Sequence, residues 1–155
     1  GARWNTDFSV FGKPFDDKLV YEFHKYWMPP EIKEIQEYID FRNKYDVPIY
    51  MGESGENEDE WVYNFRNLLD ENNIGWHFWP YKKMNTTRGP VQFAEPEHFD
   101  LIIDFVESDR FGYSNIRENR PDKKIVRQVL DQYLENCRFK NCEPNEGYLK
   151  ALGVN

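Results

Sequence analysis

The stretch Val47-Pro48-Ile49-Tyr50-Met51-Gly52-Glu53-Ser54-Gly55-Glu56-Asn57 decides how the chain is read. Its apolar run, 47–51, has the length of a buried strand, and Gly52 closes it. Glu53 follows at once, then a glycine-containing turn and a helix start. Taken alone, a Gly-Glu dipeptide at a strand end is a turn cap or a solvated charge. At the C-terminal end of a buried strand, a carboxylate occupies the position where α/β barrels place their chemistry. The segments on either side choose between these readings.

Upstream, residues 19–27 read Leu-Val-Tyr-Glu-Phe-His-Lys-Tyr-Trp, a strand expected to end between His24 and Tyr26. His24 and Tyr26 are two apart and share a face. Pro29-Pro30 then punctuates the chain. Ile32, Ile35, Ile39 and Arg42 fall at helical spacing, which predicts a helix over 30–45 that Asp46 ends. Downstream, Asn57 and Glu60 resemble a capping box. Trp61, Phe65, Leu68 and Leu69 then predict a helix to about residue 71. A third strand is expected over 74–79, Ile-Gly-Trp-His-Phe-Trp.

Beyond it, 85–95 reads as a loop and Pro96 opens a helix carrying Phe99, Ile102, Ile103 and Val106. The segment 109–119 reads as irregular. Pro121 opens the longest helix, to about residue 136, and 121–155 is expected to form the C-terminal helix and tail of a single unit spanning 1–155. At the other end, residues 1–11 resemble the end of a strand running into a loop. His24 and Glu53 stand about 29 residues apart, and Glu53 and Trp79 about 26, the βα period of a parallel sheet or barrel. No internal repeat or low-complexity segment is visible.

Composition narrows the partners. Lys+Arg number 20 and Asp+Glu 28, for a net charge of −8. An acidic surface disfavours nucleic acid and anionic membrane, and leaves a neutral sugar open. The 155 residues hold 5 Trp, 10 Tyr and 12 Phe, 17% of the chain, more aromatic surface than so small a core absorbs. No apolar run approaches the ~20 residues of a membrane span. Cys137 and Cys142 can bridge or stay as thiols. With no further ligands nearby they do not read as a metal site. No cofactor is expected.

In a parallel arrangement the three strand ends bring His24, Tyr26, Glu53 and Trp79 to one face. Each has an ordinary reading alone: a hydrogen-bonded structural histidine, a surface phenol, a turn cap, a core indole. Together they suit a sugar, whose C–H faces pack on an indole and whose hydroxyls need donors and acceptors. A carboxylate below the anomeric carbon can act as the nucleophile of retaining glycoside hydrolysis.

Three segments, Phe23-His24-Lys25-Tyr26-Trp27, Pro48-Ile49-Tyr50-Met51-Gly52-Glu53-Ser54-Gly55-Glu56-Asn57 and Ile74-Gly75-Trp76-His77-Phe78-Trp79-Pro80-Tyr81-Lys82-Lys83, resemble the last three strands of glycoside hydrolase family 5. Those enzymes are cellulase-like retaining β-glycosidases on a (β/α)8 TIM barrel. The opening Arg3-Trp4-Asn5-Thr6-Asp7-Phe8 resembles the end of the family's fifth strand. The resemblance implies an α/β fold, a partial barrel from the end of strand five to strand eight. It implies Glu53 as nucleophile, His24 and Tyr26 as the pair that orients it, and Trp79 as the sugar platform. Trp4, Asn5, Trp27 and Lys82 become subsite residues. A β-glucan or related polysaccharide is the implied substrate, and a secreted or periplasmic location the implied setting.

The family's acid/base Glu, after Asn at the end of the fourth strand, has no counterpart. Asn57-Glu58 opens a helix and Asn145-Glu146 lies in the tail. A full barrel takes ~250 residues, so the chain reads as a C-terminal piece that is inactive alone, and turnover of an aryl β-glucoside or a soluble β-glucan would overturn this. A half barrel is expected to expose sheet edges and an apolar interior, and hence to self-associate or to bind its missing half. Two other readings remain: a non-catalytic carbohydrate-binding or assembly module, and an open flavodoxin-like domain. The second lacks any glycine-rich phosphate loop.

Overall fold

Phe23, Ile49 and Met51 are apolar, lie on strands, and point the same way, so three strands and two helices close over them. The computed structural model describes residues 7–154. β1 (Tyr21–His24), β2 (Ile49–Glu53) and β3 (Gly75–Trp76) form a parallel sheet in the order β1-β2-β3. α1 (Gln36–Tyr45) and α2 (Asp59–Glu71) are the crossovers that parallel pairing demands. Phe23, Ile49 and Met51 join Tyr38, Ile39 and Phe41 of α1 and Phe65 and Leu69 of α2 in one core. The rings of Phe23 and Tyr38 stack at 4.0 Å, and Phe8 meets Tyr38 edge-on at 4.8 Å.

Local chemistry explains the element ends. Asp46 closes α1 in the left-handed conformation (φ 53°), its N–H donating to the Arg42 carbonyl. The helix expected over 30–45 is divided: Ile32–Glu34 is a 3-10 turn, and the fully buried Ile35 (φ −120°, ψ 1°) separates it from α1. The capping box expected at Asn57 is replaced. The Asn57 side chain accepts from the Glu58 N–H at 2.8 Å, and Glu58 is the extended residue ahead of α2.

The second half departs further from expectation. β4 (Lys82–Met84) and β5 (Val91–Phe93) pair in parallel, and β6 (Glu143–Pro144) runs antiparallel to β5. The loop expected over 85–95 therefore contains a strand. α3 (Asp100–Glu107) starts later than Pro96, and α4 (Tyr113–Asn119) occupies the segment expected to be irregular. α5 (Lys123–Asn136) begins where the Asp122 carboxylate accepts from the Lys124 and Ile125 N–H groups. α6 (Glu146–Ala151) docks on α2 through Tyr148, Ala151, Leu152 and Val62. Asn145 ties the tail to the 86–90 turn, its amide donating to the Thr86 carbonyl at 3.0 Å and the Gly89 carbonyl at 2.6 Å.

The architecture is thus mixed α/β, with two three-stranded sheets and six α-helices among the described residues, and these close no barrel. The expected end of a preceding strand is not found at Phe8–Val10, which is a 3-10 turn where Asp7 accepts from the Ser9 N–H. The sheet face turned away from the core is not apolar as a barrel interior was expected to be. It carries Glu22, His24, Tyr50, Gly52 and His77. Cys137 and Cys142 are free thiols, Cys142 Sγ donating to the Arg138 carbonyl at 3.3 Å. Among the described residues no helix is long and apolar enough to cross a membrane.

Candidate active site

The site begins with an irregularity in the sheet. Tyr21, Glu22 and Phe23 pair with Ile49, Tyr50 and Met51 in step, but His24 pairs with Glu53, leaving Gly52 as an extra residue. In unbroken alternation Glu53 would share the core face of Ile49 and Met51. The bulge turns it to the face of His24 instead, a standard use of bulges to re-aim a side chain. Beyond β1, the Lys25 N–H donates to the Glu53 carbonyl at 3.2 Å and holds the next residues beside β2.

Three side chains meet there. Tyr26 Oη donates to Glu53 Oε2 at 3.3 Å. His24 Nδ1 lies 3.4 Å from the same oxygen. His24 Nε2 lies 2.8 Å from Glu22 Oε1. The His24 side chain is 18% exposed and that of Glu53 40%, so the imidazole is held while the carboxylate remains reachable from solvent. Burial is the main reason the Tyr26 phenol is pushed far above its ordinary value, and the charge and hydrogen bond of Glu53 add to it. Tyr26 therefore acts as a donor.

Trp79 is anchored through its backbone. Its N–H donates to the Ser54 carbonyl at 2.6 Å, and it bridges Gly55 in parallel register, two residues past Glu53. Its side chain stays open to solvent, with the residue 53% exposed. The turn that carries it is tight: Gly55 has φ +113°, and an added Cβ would meet the Trp79 carbonyl and Tyr148 Oη, each at 2.7 Å. Ser54 and Tyr148 are buried behind the turn, and burial pushes the Tyr148 phenol up to about 12.

The other expected residues divide. Trp27 sits at φ 54° with its ring 5.3 Å from that of Tyr26, next to the cluster and largely exposed. Lys82 does not join. It belongs to β4, and its ammonium donates to the Cys137 carbonyl, because pairing with β5 turns it toward the end of α5. Its neighbour Lys83 reaches Glu56 instead. Trp4 and Asn5 lie outside the described residues. Of the Asn-Glu pairs, Glu58 precedes α2 and pairs with Arg88, and Glu146 stands in the first turn of α6.

The sequence reading missed Glu22. It sits two residues before His24, so period-two alternation alone places it on the site face. It also missed the Tyr50–His77 pair, joined through Oη and Nδ1 on the same face. A cleft of about 530 Å³ lined by Lys13, Phe15, Asp17 and Lys44 lies at the opposite end of β2, beside Val47, and includes none of these groups. Among the described residues no set of three or more His, Cys, Asp or Glu is arranged to hold a metal ion. No protein-family model, curated protein or solved structure matches the chain.

Proposed function

We propose that the chain is the closing section of a (β/α)8 glycoside hydrolase of the family 5 type, with Glu53 as the nucleophile of a retaining β-glycosidase. The observation that carries the reading is the cluster of Glu53, His24 and Tyr26 at the C-terminal ends of adjacent parallel strands, where α/β barrels hold their chemistry. Both partners of the carboxylate engage Oε2. Oε1 is left to form the bond to the anomeric carbon as the bond to the leaving oxygen breaks. Trp79, open to solvent beside the same turn, supplies an apolar plane for the pyranose ring. A β-glucan or related polysaccharide fits these surfaces, and a polymeric substrate goes with a secreted or periplasmic setting.

Retaining hydrolysis also needs a carboxylic acid about 5–5.5 Å from the nucleophile to protonate the leaving oxygen. Glu58 is taken by Arg88, Glu146 belongs to α6, and Glu22 hydrogen-bonds the imidazole from the side away from Glu53. None of these three is placed as the proton donor that the reading needs. The test is a 2-deoxy-2-fluoro-β-glucoside with a dinitrophenolate leaving group, which departs without a proton. Mass spectrometry is expected to find the fluorosugar on Glu53 in the wild type and nowhere in Glu53→Gln.

The exposure of Trp27, Trp79 and Tyr81, at 66%, 53% and 59%, favours a second reading, a carbohydrate-binding module without chemistry. Glycan binding that survives Glu53→Ala, in a protein that never labels, selects it.

A further inference from the structure

β1 and β2 make a small socket on the site face. Gly52 is the extra residue of the bulge and contributes no side chain, so the face has a gap between Tyr50 and Glu53. The side chain of Glu22 fills that gap. A Cβ on Gly52 would overlap its Oε1, Cδ and Cγ, so the carboxyl lies directly against the Gly52 backbone. From this position Oε1 reaches His24 Nε2 at 2.8 Å. The opposite ring nitrogen, Nδ1, faces Glu53 Oε2 at 3.4 Å. Glu22 also lies near Tyr50, where burial and then the charge of Glu22 raise the phenol above its ordinary value.

We propose that Glu22 is a positioning residue that sets the proton placement and angle of the His24 ring toward Glu53, and that Gly52 is glycine to admit it. A carboxylate acceptor at Nε2 keeps a proton on that nitrogen and fixes the angle of the ring. The Glu22 side chain is 50% exposed, so the pair adds little to folding stability and its consequence is orientation. The role in chemistry rests on the reading of Glu53 as the reacting group. The role in fixing the ring does not.

Nitrogen-15 shifts of the His24 ring test it in the intact chain, for the wild type, Glu22→Ala, Gly52→Ala and Glu22→Gln. The wild type is expected to show Nε2 as the N–H nitrogen. In Glu22→Ala and Gly52→Ala the Nε2–H hydrogen bond to the carboxylate is lost and the Nε2 resonance moves. In Glu22→Gln, whose amide oxygen still accepts from Nε2, it stays. The same ordering is expected in the labelling rate of Glu53, with Glu22→Ala slower by about tenfold and an unchanged melting temperature. An identical Nε2 shift in wild type and Glu22→Ala overturns the proposal, whatever Gly52→Ala does to folding. If Glu53 never labels while Nε2 responds to Glu22, the positioning role stands and the glycosidase reading falls.

Discussion

His24 stands directly opposite Glu53 in the β1–β2 ladder, with Gly52 left over between Met51 and Glu53. That one-residue slip moves a carboxylate from the helix side of a parallel sheet to the side where Tyr26, Trp79 and solvent are. The consequences for chemistry, folding and pH response can each be measured.

The Tyr26 phenol donates to Glu53 Oε2, and the function we propose gives the attack to Oε1. A hydrogen bond to a charged group is worth ~1.5–3 kcal/mol, or roughly 10- to 100-fold in rate if it is needed in the transition state. Tyr26→Phe is expected to slow labelling of Glu53 by about that factor, measured at a temperature where the melting curves show both proteins folded. Equal labelling rates in the two proteins would remove Tyr26 from the site.

Gly55 has φ +113° and lies against the Trp79 carbonyl and Tyr148 Oη. Gly55→Ala is expected to cost about 1–3 kcal/mol, from backbone strain and crowding together. Gly12→Ala, with no atom of the described residues within 4 Å of the added carbon, is expected to change stability by less than about 0.5 kcal/mol. Urea unfolding of the two variants side by side makes the comparison.

Phe23 is fully buried, stacked on Tyr38 and 6.3 Å from Phe8. It joins β1 to α1, so its loss opens a cavity where the first crossover meets the sheet. Phe23→Ala is expected to cost ~3–5 kcal/mol. A loss below about 1 kcal/mol in urea titration would mean that β1 does not pack on α1 as described.

Much of this was legible in the sequence where a period had room to show itself. The run of Trp61, Phe65 and Leu69 lies on α2, and the longest helix, expected from Pro121 to about residue 136, is α5. The apolar run before Glu53 is a strand, and His24, Tyr26 and Glu53 meet. The second sheet escaped because β4 and β5 have three residues each and β6 two, too few for an alternation. α4 escaped because its seven residues, Tyr113–Asn119, hold apolar side chains only at Tyr113 and Ile116, too few to show a stripe. The bulge was invisible for a different reason. Strict alternation puts Glu53 on the core face, and only the register with β1 shows otherwise. Lys82 was misjudged because its direction depends on pairing with β5.

Burial is the largest cause raising Tyr26, Tyr38 and Tyr148 above the ordinary tyrosine value of 10.0, with nearby carboxylate charge adding at each. Unfolded, these phenols ionise as pH passes 10. Folded, they keep their protons. The folded state then binds more protons than the unfolded one, so stability is fully present below pH 10 and falls as pH rises above it. The melting temperature is expected to drop steeply beyond pH 10, with tyrosinate absorbance from these three appearing together with unfolding. Tyr38→Phe is expected to flatten that drop.

In the function we propose, Glu53 is a nucleophile poised for an anomeric carbon. Peptide mapping after incubation with the dinitrophenyl 2-deoxy-2-fluoro-β-glucoside tests it most directly. One fluorosugar per chain is expected, on the peptide containing Glu53, lost in Glu53→Gln and slowed in Tyr26→Phe. A folded chain that binds the glucoside and carries no adduct at Glu53, or one that carries it elsewhere, would contradict it.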